Sequence, residues 1–124
     1  THINNVPTQY QIICTISIFN VFYLDNILEE FKKFNMPVFL NTLNSPDYYD
    51  IRYLPFEVRE KIYHHLYNNS KTKFIRTMLL ENNTNNQWNQ LKFWINAKDE
   101  YRKESFKDTF PEFYQILNEY DNTF

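Results

Sequence analysis

The sequence predicts an α/β fold, a single β-α-β unit followed by about four helices. Three observations carry this. Residues 10–19 alternate with period two, residues 24–34 switch to a helical period, and residues 37–41 return to a short apolar run. Past residue 43 the apolar residues recur at helical spacing.

In the first strand Tyr10, Ile12, Cys14, Ile16 and Ile18 take one side, and Gln11, Ile13, Thr15, Ser17 and Phe19 the other. The stretch ICTISIFN, residues 13–20, closes on Asn20. Leu24, Ile27, Leu28, Phe31 and Phe34 then form one helical stripe, with Glu29, Glu30, Lys32 and Lys33 largely off it. PVFLN, residues 37–41, is the second strand. A helix of about three turns between two strands is a crossover, so the strands are expected to be parallel.

Residues 42–55 form a long connection containing Pro46 and Pro55. Pro55 suits a helix start, and Val58, Ile62 and Leu66 follow at intervals of four. Ser70 is placed to cap a helix carrying Phe74, Ile75, Met78 and Leu79. Thr84 and Gln87 have capping-box spacing ahead of Trp88, Leu91, Ile95 and Tyr101. Pro111 opens the last helix, with Phe113, Ile116, Leu117 and Tyr120 on one face. A two-stranded parallel ribbon leaves open edges, which proteins normally pair or cover. The rest of the sheet is expected from residues upstream, from a partner chain, or from helices folded over the edges.

Composition excludes several classes. Hydrophobic residues make up 43% of the 124, enough for a packed core. The net charge is −2 with no basic run, so nucleic-acid binding is disfavoured. No stretch approaches ~20 continuous apolar residues, so no membrane span is expected. Cys14 is the single cysteine, so the chain alone forms no internal disulfide, cysteine-ligated zinc site or iron–sulfur cluster. That usage fits a reducing, cytoplasmic setting. The opening THINNVP lacks signal-peptide order and an initiator Met, which suggests processing or a start inside a longer sequence. Glycine is absent, which removes P-loop and dinucleotide-turn motifs. Asparagine is expected at the corners instead, at the pairs 4–5, 68–69, 82–83 and 85–86.

Few residues invite a chemical role. Thr15 and Ser17 share a face, Asn20 follows directly, and Asn41 ends the second strand. At the carboxyl ends of parallel strands these four are candidate ligand-binding groups; strand propensity for Thr and Ser and turn formation by Asn are the plainer explanation. His64 and His65 are neighbours, poorly spaced for a shared metal, and read as surface residues, while His2 lies near the terminus. Cys14 reads as a small hydrophobe. Asp47 and Asp50 suit turn and cap roles, and residues 99–104 a solvated helix face. Tyr48, Tyr49 and Tyr53 are the residues a base- or sugar-stacking surface would use.

The order of the segments resembles a known family. TISIFNVFYLDNILEEFKKFNMPVFLN looks like the fifth strand, helix and sixth strand of radical S-adenosylmethionine (SAM) proteins. NSPDYYDIRYLP, LLENNTNNQW and DEYRKESFKDTFPEF are similar to the tail of twitch-domain members, many of them phage-encoded. Asp99, Tyr101 and Arg102, then Phe110, Pro111 and Glu112, match the family's late acidic–arginine and FPE segments. The resemblance implies that residues 1–43 are the last strands of a partial β/α barrel and 44–124 a helical C-terminal region, packed as a single compact unit. It places Thr15, Ser17, Asn20 and Asn41 near SAM or substrate. It implies SAM and a 4Fe-4S cluster for a complete enzyme, and none for this chain alone, which lacks the CxxxCxxC loop. The expected partner is the N-terminal barrel half. The alternative is a non-catalytic structural or interaction module, virion-associated or otherwise, that binds another protein or itself.

Overall fold

A computed structural model describes residues 10–81, 87–103 and 105–124, all but the side chain of Arg102. His2, the Thr84 cap and the asparagine pairs 4–5, 82–83 and 85–86 lie outside the described residues.

The element order is β1 (Ile12–Ile16), α1 (Leu24–Phe31), β2 (Val38–Thr42), α2 (Phe56–His65), α3 (Lys73–Leu79), α4 (Trp88–Arg102), α5 (Phe106–Thr109) and α6 (Pro111–Tyr120). The two strands pair in parallel, with Ile12 opposite Val38, Cys14 opposite Leu40 and Ile16 opposite Thr42. Among the described residues the sheet has these two strands. The fold is therefore mainly helical, around a small parallel ribbon.

β1 is shorter than its alternating run. It ends at Ile16 because the chain turns inward: Ile18, Val21 and Leu24 are all buried, and the amides of Asn20 and Val21 donate to the Ser17 carbonyl. Ser17 is buried in that turn and so leaves the face it was expected to share with Thr15, which is exposed. α1 buries Leu24 and Leu28 and half-buries Ile27 and Phe31. Phe34, the last residue of the expected stripe, is exposed, because a 3₁₀ turn over Lys32–Phe34 swings it off the helical face. Asn35 then reverses the chain at φ 49°, a left-handed position that asparagine takes in this glycine-free sequence.

The connection to α2 is built from two 3₁₀ turns, Asp47–Tyr49 and Ile51–Tyr53. Asp50 caps the second, accepting from the Arg52 amide at 2.9 Å, and is paired with the Arg52 guanidinium at 2.7 Å. Pro55 precedes α2, whose Val58 and Ile62, with Leu66 just beyond, are buried as their spacing predicts. Arg59 is the largest fully buried side chain. It donates from Nε to the Leu54 carbonyl at 2.9 Å and from Nη1 to the Leu79 and Glu81 carbonyls at 3.0 and 2.8 Å. Leu79 ends α3 and Glu81 lies two residues beyond it, so both carbonyls need donors from outside the helix. Burial pushes the Arg59 guanidinium below its ordinary value, against the pull of Glu81 and Glu57.

α3 begins at Lys73 rather than just after Ser70. The Asn69 side chain accepts from the amides of Lys71 and Thr72 at 2.9 and 3.1 Å, which sets the corner two residues later. Ile75, Met78 and Leu79 are buried, and Phe74 is exposed. α4 buries Trp88, Leu91 and Ile95 and leaves Tyr101 exposed. It ends on Lys103, in the left-handed region at φ 56°. Among the described residues five α-helices follow the ribbon instead of about four, because Ser105 caps a separate short α5, its Oγ accepting from the Asp108 amide at 3.2 Å. Pro111 then opens α6, which buries Phe113 and Leu117. One apolar cluster joins Cys14, Ile16 and Ile18 of the ribbon region to these helices. Among the described residues no helix is long and apolar enough to cross a membrane.

Candidate functional site

The ribbon has two unlike faces. Cys14 and Ile16 point into the core. Ile13 and Thr15 of β1, in register with Phe39 and Asn41 of β2, form the outer face. Ile13 is 61% exposed and Phe39 53%, so apolar side chains sit side by side in solvent.

Asn41 does not end the second strand, because pairing of Ile16 with Thr42 carries β2 one residue further, and Asn20 lies beyond β1 in the turn; both asparagines act on the backbone. Alternate peptide groups of a strand point to opposite edges. The Ile16 carbonyl accepts from the Leu43 amide at 2.9 Å, toward the β2 side. The Thr15 carbonyl and Ser17 amide therefore face the other edge. Asn20 takes both: its Nδ2 donates to Thr15 O at 2.9 Å and its Oδ1 accepts from Ser17 N at 2.8 Å. One carboxamide does there what the peptide group of a neighbouring strand would do. Asn41 does a smaller version of the same, with Oδ1 accepting from the Thr42 amide at 2.9 Å. Ser17 Oγ accepts from the Phe19 amide at 3.2 Å. Of the four candidate residues, Thr15 and Asn41 are thus brought together on the open face, while Ser17 and Asn20 form the turn behind it.

A cleft of about 280 Å3 opens beside that turn, where the end of β1 meets α4 and α5. Phe19, Phe106 and Phe110 form its apolar walls and Lys98 its cation. Lys98 Nζ donates to the Tyr49 hydroxyl at 2.6 Å and stands 5.1 Å and 5.9 Å from the Tyr49 and Phe19 ring centres. Tyr49 also ties down the strand end, its carbonyl accepting from the Ile18 amide at 3.1 Å. Asp99 lines the cleft and accepts from the Phe106 amide at 3.0 Å, so it holds the α4–α5 corner instead of lying on a purely solvated face. Glu112, of the FPE segment, accepts from the Tyr23 hydroxyl at 3.0 Å. Burial pushes the Tyr23 hydroxyl up. Lys98 and Phe19 were not singled out in the sequence. The available signal was the four-residue step from Trp94 to Lys98, which puts both on one side of α4.

Other candidates have structural surroundings. Burial pushes the Cys14 thiol up, which disfavours the reactive thiolate. His65 stacks on Phe22 with ring centres 3.9 Å apart, and His64 meets Tyr63 edge-on. Tyr48 stacks on Trp94 at 6.0 Å, so one face of its ring is covered by its own chain. Among the described residues no group of three or more His, Cys, Asp or Glu side chains is placed to hold a metal ion. Comparison with family models, curated proteins and solved structures finds no match to this chain.

Proposed function

We propose that this chain is the C-terminal portion of a radical SAM-like protein, where it closes the barrel and covers the substrate side, and that it is not catalytic by itself. The observation that carries the proposal is the ribbon's outer face, where Ile13 and Phe39 are exposed together. Parallel sheets are ordinarily covered on both faces, because the crossover helices that build them lie there. Among the described residues, the helices cover one. A further strand docked beside β1 would bond the backbone of Ile13 and stop at Thr15, since Asn20 holds the next groups along that edge. Thr15 and Asn41 would then face the lumen near SAM, with Ser17 and Asn20 shaping its rim. The family name rests on the order of the sequence segments.

The residues present do not fit the cluster the family uses. Cys14 is the only thiol and points into the core. The missing barrel half would have to bring the 4Fe-4S cluster, and no step is assigned to this chain. Anaerobic treatment of the chain with iron and sulfide should give no cluster absorbance. Stoichiometric loading would overturn the proposal.

The same open face supports a second reading, a structural or interaction module that pairs edge-to-edge with its own copies, within a virion or elsewhere. Light scattering separates the readings. Aggregation of the chain alone, relieved by the segment encoded upstream in frame, supports the barrel portion. A discrete homo-oligomer supports the interaction module. A stable monomer that takes up neither the upstream segment nor its own copies would count against both.

A further inference from the structure

α2, α3 and the connection between them border an open cleft of about 740 Å3. Tyr63, Asn68, Ser70, Lys73, Arg76 and Glu81 border it. The Arg76 guanidinium lies over the Tyr63 ring, 4.0 Å from its centre. That contact covers one flat face of the guanidinium and fixes its plane. Its Nε is buried and, among the described residues, has no hydrogen-bond partner. A buried N–H without an acceptor is costly, and native structures leave few of them.

Lys73 sits three residues before Arg76, on the same side of α3. Among the described residues neither cation is in an ion pair. The one carboxylate at the rim, Glu81, lies 3.8 Å from Arg52 and is partly answered there. The cleft thus offers two positive charges, a planar fork held in place by an aromatic ring, and the neutral side chains of Ser70 and Asn68. This happens on a chain whose net charge is −2.

We infer that the α2–α3 cleft binds the phosphate group of a phosphate monoester, gripped by Arg76 and Lys73. Two cations match a group that carries about −1.5 to −2 at neutral pH. A carboxylate would satisfy the guanidinium alone. Arg76, Lys73, Ser70 and Asn68 all line the cleft, a donor set larger than two carboxylate oxygens need and suited to three phosphate oxygens. The site is separate from the ribbon and stands whether or not the barrel reading holds.

The test is a titration of the whole chain with inorganic phosphate, phenyl phosphate and acetate, each against sodium chloride at matched ionic strength. The Arg76 Nε–H resonance, assigned by its loss in Arg76→Gln, should move with both phosphates and stay still with chloride and acetate. Arg76→Gln should weaken phosphate binding about tenfold, the loss of one charged hydrogen-bonding partner. Lys73→Gln should weaken it about fivefold, and because Lys73 is exposed this variant keeps the core intact should Arg76→Gln fail to fold. Phenyl phosphate binding at least as tightly as inorganic phosphate is the result expected for a monoester site. Equal response to chloride, equal response to acetate, exclusion of phenyl phosphate, or unchanged affinity in Lys73→Gln would each overturn the inference.

Discussion

The two faces of β1 are made of similar residues and have opposite fates. Ile16 is fully buried under the helices, while Ile13, three residues earlier on the same strand, is 61% exposed. Both are isoleucine, both pair with β2, and their intrinsic strand preference is the same. What differs is the layer above them. The helical side is finished: Arg59 answers three carbonyls, and Ile16 and Ile18 share one buried cluster with residues of α2, α3, α4 and α6. The ribbon's outer side carries apolar surface that the described residues leave uncovered.

Truncating the two isoleucines turns this difference into a measurement. Ile16→Ala should lower unfolding stability by about 3 kcal/mol, through lost transfer energy and the cavity left behind. Ile13→Ala should change it by less than about 0.5 kcal/mol in the chain alone, because the side chain is already hydrated. Denaturant unfolding of both variants supplies the numbers. Comparable losses would mean that Ile13 is covered in solution, as it would be in a self-associated form. In that case the Ile13 loss should vary with protein concentration and the Ile16 loss should not.

A smaller effect belongs to Asn20, which seals part of the open side. Asn20→Ala removes the partners of Thr15 O and Ser17 N. Water can reach this edge, so the expected loss is about 1 kcal/mol rather than the full desolvation cost. Amide exchange sharpens the reading: the Ser17 N–H should lose protection in Asn20→Ala while the Leu43 N–H, on the β2 side, keeps it. Loss of both together would mean that Asn20 holds the whole ribbon and not its edge.

Legibility in the sequence divides along the same line. The β-α-β order and the Val58–Ile62–Leu66 stripe are readable from local period, and the parallel pairing from the crossover helix between the strands. Phe34 and Phe74 fit the helical period equally well and are exposed, because period shows which residues share a face and not whether anything packs against it. Arg59 gave no signal. Its burial depends on carbonyls of Leu54, Leu79 and Glu81 that converge only after α2 and α3 pack. For Asn20 the residue type permitted both a ligand contact and a cap, and only the 2.8 and 2.9 Å distances place its carboxamide on the backbone. The left-handed Asn35 follows from residue type, whereas Lys103 does not, since nothing about lysine favours positive φ.

The smallest effect lies on the finished side and is read with pH. Asp121 accepts from Lys92 at 2.7 Å, from the Thr123 hydroxyl and amide at 2.6 and 3.0 Å, and from the Trp88 indole at 2.8 Å, which ties the C-terminal segment to α4. The Lys92 ammonium first, then Thr123 and Trp88, hold its carboxyl well below the usual carboxylate range. A carboxyl depressed on folding favours the native state above its unfolded value, about pH 4, and gives that contribution up as pH falls through its folded value. The melting temperature of the native sequence should therefore drop more steeply below about pH 4 than that of Asp121→Asn, which has no proton to take up there. Above that pH the native sequence should be the more stable of the two, and the gap should narrow with acid. Parallel melting curves from neutral pH downward would mean that the C-terminal latch is held by Phe124 packing on Trp88 at 5.4 Å, with the carboxylate contributing nothing.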